Sequence, residues 1–233
     1  SPAPLAPSTG PSLNFVGDSS NIKIVQDEQF VRVTGARGDL SIPLGAVDKV
    51  TLDSTSSSVT RLSVSDRTSG LEVQIDTGDF SLEGTQITDS IFEFAKGARA
   101  KFISTALQIN GSNIVMRKGG DSVEIRKGVV RKSFFSTGRH RDSILLDSAV
   151  TVKGNTIFDL GNGKDSVTVD AEIRKATFEL GKGADQIIMK GAVKKASIDL
   201  GVDKASDVVT IASEDLISKK IKLINFDKKD ELI

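Results

Sequence analysis

The chain of 233 residues has no cysteine, no tryptophan and no tyrosine, and only one histidine. Without cysteine there are no disulfides, no thiol catalysis and no cysteine-based zinc site. His140 stands between Arg139 and Arg141 in GRHRD. Flanking cations disfavour both metal ligation and general-base work there, so it reads as a solvated turn residue, and the serine-histidine and zinc-hydrolase constellations fall away. Phenylalanine is the only aromatic, at 11 residues, which leaves few platforms for stacking sugars or bases and directs any binding toward polar or ionic contacts. No stretch approaches 18 consecutive apolar residues, so no membrane span is expected. The opening SPAPLAPSTGPS has neither a basic region nor an apolar core, so no intact signal peptide is expected either. Charge of one sign is also missing, since 31 Lys and Arg balance 31 Asp and Glu. The whole-molecule field therefore steers toward neither nucleic acid nor membrane.

What remains divides into three stretches. Residues 1–13 hold four of the five prolines and read as an extended arm. Residues 14–90 carry β-type segments such as NIKIVQ, FVRVTG, RLSVS and LEVQID between Gly, Asp and Ser turns, an irregular β region with no long amphipathic helix. Within it Arg37-Gly38-Asp39 spells a cell-adhesion tripeptide, but it leads into an apparent strand, LSIPL, and reads as a chance triplet. Residues 91–233 repeat.

Aligned on one aspartate, the units are IVMRKGGDSVEI, FFSTGRHRDSILL, FDLGNGKDSVTV, FELGKGADQIIM and IDLGVDKASDVVTI, with a worn copy in LINFDKKDELI. The anchors are Asp121, Asp142, Asp165, Asp185, Asp207 and Asp230, spaced by 21, 23, 20, 22 and 23 residues. Upstream, IFEFAKGARAKFIS resembles the same unit with Arg99 in the aspartate's place. Two and four residues after each aspartate come apolar pairs, among them Val123 and Ile125, Val167 and Val169, Ile187 and Met189, alternating with polar residues as a half-buried strand requires. Eight residues after it stand Val129, Val150, Ile173 and Val193, with Leu216 one place later, which predicts a second inward run. Phe158 and Leu160, Phe178 and Leu180, Ile198 and Leu200 make a third, with Asp159, Glu179 and Asp199 pointing out. One coil of three short runs cannot bury its own apolar side, so coils must stack. The predicted fold is all-β, with a parallel β-solenoid in the C-terminal half and an irregular β-rich region before it.

The strings LGNGKDSVTV and LGKGADQIIM resemble degenerate calcium-binding repeats of the repeats-in-toxin family, G-G-x-G-x-D-x-U-x, and LINFDKKDELI is similar to the run that follows such repeats. Coils of this kind also resemble repeats in bacterial surface proteins and phage structural proteins. The resemblance implies Ca2+ held by Gly161, Gly163 and Asp165, by Gly181, Gly183 and Asp185, and by Gly201 and Asp207. The tandem nine-residue spacing is absent, however, and Arg141, Lys164, Lys182 and Lys204 occupy the variable positions. Unpaired carboxylates stacked about 4.8 Å apart repel by roughly 0.9 kcal/mol per pair even in water. Calcium, the neighbouring cations, or hydrogen bonds from glycine-turn amides could each offset this.

A second pattern is basic. Arg131 and Lys132, Lys153, Arg174 and Lys175, Lys194 and Lys195, and Lys219 and Lys220 follow the second run and should stack along one edge. That edge reads either as a solvated surface that discourages aggregation or as the seat of an anionic partner, an acidic polysaccharide or a neighbouring subunit. Stacked carboxylates also admit a polysaccharide-cleaving enzyme, but an active site should break the repeat locally, and these recur from coil to coil. GNGKDS lacks the GK[ST] of a phosphate loop. The expected function is a non-enzymatic structural or attachment component, in an oligomer or larger assembly, on an extracellular surface or virion. The alternative is a secreted calcium-binding module. The apolar close at KDELI leads us to expect that another chain covers the last coil or that the sequence continues.

Overall fold

The computed structural model describes residues 86–94, 100–212 and 220–233, and upstream of these mainly the backbones of strands between Ser12 and Leu82. Of the expected arm, residues 1–11 lie outside the described residues, and Ser12 and Leu13 begin the strand Ser12–Val16. Over about residues 86–232 the chain is a parallel β-solenoid, each coil contributing to two sheets.

The first sheet has ten strands, all parallel. It collects the third run of each coil: Ile91–Phe94, Asn113–Met116, Phe134–Ser136, Thr156–Asp159, Ala176–Glu179, Ala196–Asp199 and Ile221–Ile224. Parallel pairing continues upstream of residue 91, through Glu72–Ile75 and Lys49–Asp53 to Ser12–Val16. The second sheet has 15 strands and carries the first two runs. Its one antiparallel portion is Asn21–Gln26, Phe30–Gly35 and Gly38–Pro43. Gly38 and Asp39 of the tripeptide lie in that last strand, and Arg37 lies outside the described residues.

Where a coil turns from first to second run the path varies. Ser122–Arg131 and Ser143–Lys153 pass through the corner as single strands with a register shift between Ile125 and Lys127, whereas the next coil splits into Ser166–Val169 and Glu172–Ile173. The second inward column therefore differs from the eight-residue rule. Pairing aligns Ile87, Ile109, Val130, Val152, Ile173 and Val193, all buried. Val129 faces Thr151 and is half-buried, while Val150 faces Gly128 and is buried as expected, though outside that column. The two earlier coils carry one or two extra residues at the bend, and the column is kept by shifting the register rather than by holding the count. Leu216 lies outside the described residues.

The other columns match the alternation. Val123, Ile144, Val167, Ile187 and Val209 pair successively and are buried. On the opposite wall Phe135, Phe158 and Phe178 stack with ring centroids 5.0 and 5.1 Å apart, and Phe102 meets Phe135 edge-on at 6.2 Å. Parallel, in-register strands place identical side chains one strand spacing apart, which is the offset-stacking distance for aromatic rings.

Candidate functional site

A turn led by Gly138, Gly161, Gly181 or Gly201 ends four of the third runs and aims the anchoring aspartate into the interior. Gly161, Gly181 and Gly201 have φ of +85°, +91° and +84°, and a Cβ on Gly181 or Gly201 would collide with the carbonyl oxygen of the glycine one coil earlier. Glycine is required here by conformation and by the approach of stacked turns. The chain then dives inward, so that Asp121, Asp142, Asp165, Asp185 and Asp207 are each 3% exposed or less.

Each of these carboxylates accepts a hydrogen bond from the amide of its counterpart in the preceding coil. Asp121 N donates to Asp142 Oδ1 at 2.7 Å, Asp142 N to Asp165 at 2.7 Å, Asp165 N to Asp185 at 2.7 Å, Asp185 N to Asp207 at 2.8 Å, and Asp207 N to Asp230 at 3.0 Å. The series begins with Ala100 N on Asp121 Oδ1. The position equivalent to the aspartate is thus Ala100, not Arg99, which lies outside the described residues. The donor also differs from the expected glycine-turn amides, and no ion pair among the described residues joins Arg141, Lys164, Lys182 or Lys204 to the ladder. Arg141, Lys164, Lys182 and Lys204 are exposed, as is His140, whose amide donates to Asn162 O.

The second oxygen, Oδ2, of Asp121, Asp142, Asp165 and Asp185 is buried with no hydrogen-bond partner. Burial pushes Asp142 and Asp165 up to about 7 and Asp121, Asp185 and Asp207 up to about 6, against the lowering effect of the bonded amide. Neighbouring carboxylates add to the rise at Asp142, Asp165, Asp185 and Asp207.

Toward calcium, which takes 6 to 8 oxygens, the residues offer little. Oδ1 is engaged, and the Gly161 carbonyl accepts from Lys182 N at 2.8 Å. One uncommitted carboxylate oxygen per coil remains, and among the described residues no group of three or more acidic or histidine side chains is gathered to hold a metal. The donor set fits a calcium cage poorly.

Sequence reasoning missed two polar features. At the opposite corner Ser90, Ser112 and Ser133 form a shorter ladder, with Ser90 N on Ser112 Oγ and Ser112 N on Ser133 Oγ, both at 3.2 Å. The small residues at or just before the start of each third run, Ser112, Ser133, Thr156, Ala176 and Ala196, were the available signal. Asp203 accepts from Gly183 N and Ala205 N at 2.7 Å each, securing a turn that, like the one at His140, lacks its second glycine.

The basic residues fall into two columns at the corner between the second and third runs. Arg131 pairs with Lys153, and Arg174 N and Lys194 N continue that column on Val152 O and Ile173 O. Lys175, Lys195 and Lys220 form a second, with Lys132 at its far end beyond Asn155. All are exposed except Lys153, which is half-buried, and Lys219 lies outside the described residues. On the outer face of the first sheet Asp159, Glu179 and Asp199 pair in register and are half-buried. Burial raises Asp159 and Glu179, and for Glu179 the two flanking carboxylates add to the rise.

No family model matches the chain, no curated protein matches it significantly, and no solved structure does. The architecture itself is repeats-in-toxin-like: a parallel solenoid whose buried aspartates recur about every 22 residues.

Proposed function

We propose that this chain is a non-catalytic structural or attachment component of an exposed assembly, a virion decoration or fibre protein or a segment of a bacterial surface layer or adhesin. The observation that carries this reading is uniformity. From Asp121 to Asp230 each coil repeats the same inward aspartate, and its oxygen takes the amide of the coil before. A fold built this way extends by adding coils and presents long, regular faces, which suits a spacer or a platform. Among the described residues no helix is long and apolar enough to cross a membrane. Immunogold electron microscopy of the native source tests the proposal: label should decorate a shell, fibre or cell surface, and label confined to dispersed soluble material would overturn it.

The orphaned Oδ2 atoms favour one rival, a secreted module that responds to calcium. Calorimetric titration separates the two. With each Oδ1 and the Gly161 carbonyl committed to backbone amides, we expect no saturable heat and no change in melting temperature at millimolar calcium, and a saturable exotherm would install the rival.

A further inference from the structure

We propose that the corner between the second and third runs binds a linear acidic polysaccharide laid parallel to the solenoid axis. The proposal rests on the scaffold reading above and names the partner of that scaffold.

These cations do not guard a free strand edge. Lysines often guard free strand edges, whose unpaired amides and carbonyls invite aggregation. Here the backbone is already paired from coil to coil. Arg174 N donates to Val152 O at 2.8 Å, Lys194 N to Ile173 O at 2.7 Å, and Ala196 N to Lys220 O at 2.8 Å. The strands that flank this corner are therefore not free edges, yet like charges are held one strand spacing apart, where they repel.

Lys175, Lys195 and Lys220 occupy successive coils, so the column advances by about 4.8 Å per charge, with Arg174 and Lys194 alongside. Of these five, only Arg174 has an ion-pair partner among the described residues, Glu172 at 3.0 Å. A straight double row of cations with a fixed step matches a polymer that carries one anionic group at regular intervals. A single-stranded nucleic acid would need aromatic platforms for its bases, and the chain has neither Trp nor Tyr. Of the solenoid's phenylalanines, Phe92, Phe102, Phe135, Phe158 and Phe178 are fully buried, and the exposed Phe226 follows the strand Ile221–Ile224 at its other end from Lys220.

Retention of the full chain on immobilised heparin and on immobilised polygalacturonate, eluted with a sodium chloride gradient, tests the proposal. Wild type should be retained on at least one and released by salt. The double variant Lys175→Glu, Lys195→Glu should bind at least about tenfold more weakly at fixed salt, because binding to a polyanion scales with the number of charges neutralised. A control, Lys164→Glu with Lys182→Glu, alters two exposed cations at the glycine-turn edge and should elute with wild type. Circular dichroism melting confirms that both variants are folded. Co-elution of the corner variant with wild type, or an equal loss in the control, would overturn the proposal. So would self-association of wild type at low salt that the corner variant abolishes without change in glycan retention, since the partner would then be a second subunit. Failure on the glycan columns leaves the microscopy result standing, so the two readings fail separately.

Discussion

Asp165 gives one carboxylate oxygen to the amide of Asp142 and leaves the other buried without a donor. A charged oxygen in that position is costly, and protonating it removes the charge while keeping the amide bond. The native ladder therefore holds protons that the unfolded chain has already released between its ordinary value of 3.8 and the raised values of about 6 to 7. Stability from this source is complete below about 3.8 and is lost as pH rises through 6 to 7. The urea midpoint of wild type should be higher at pH 5 than at pH 8.5, and a midpoint that rises with pH would contradict the account. Asp165→Asn keeps an oxygen for Asp142 N and cannot ionise, so its midpoint should fall less over the same interval. Asp165→Ala leaves that amide buried without an acceptor and should lose about 1 to 3 kcal/mol at either pH.

At the scale of strands and turns, the in-register third runs make neighbouring aromatic positions interdependent. Phe158 stacks on Phe135 and on Phe178 and is fully buried, so Phe158→Ala should cost about 3 to 5 kcal/mol in chemical unfolding. Paired with Phe178→Ala, the loss should fall short of the sum of the single losses, because the two rings share a contact; strict additivity would argue against a continuous column. The alternation of apolar and polar residues made the first and third runs legible, and the aspartate made the coil length legible, because a strand has a fixed period of two and the turn needs glycine at set places. The second run was not legible to the residue. Across the bend between Ile125 and Lys127 the count changes from coil to coil, so an eight-residue offset points to Val129 where pairing selects Val130. The partner of each aspartate was hidden for a related reason. Its donor sits about 22 residues away and comes into reach only once coils are stacked, whereas the glycine-turn amides are close in sequence.

For the whole molecule, neutrality in sum conceals segregation. The chain carries 31 charges of each sign, but Lys175, Lys195 and Lys220 line one edge while Asp159, Glu179 and Asp199 line the far side of the same sheet. Within a column, like charges stand about 4.8 Å apart, inside the Debye length of about 8 Å at physiological ionic strength. Between columns, Lys175 and Glu179 are four residues apart along a strand, about 13 Å, where the Coulomb attraction is already much weaker than the repulsion at about 4.8 Å. Added salt therefore weakens the repulsion more than the attraction. The melting temperature should rise between 20 and about 500 mM sodium chloride, a salt chosen because strongly excluded anions such as sulfate would stabilise any fold. Lys195→Glu places an anion between Lys175 and Lys220, so at low salt this variant should melt above wild type and its salt dependence should flatten. A wild-type melting temperature that falls with chloride would mean that opposite charges dominate, and the columns would then be paired rather than segregated.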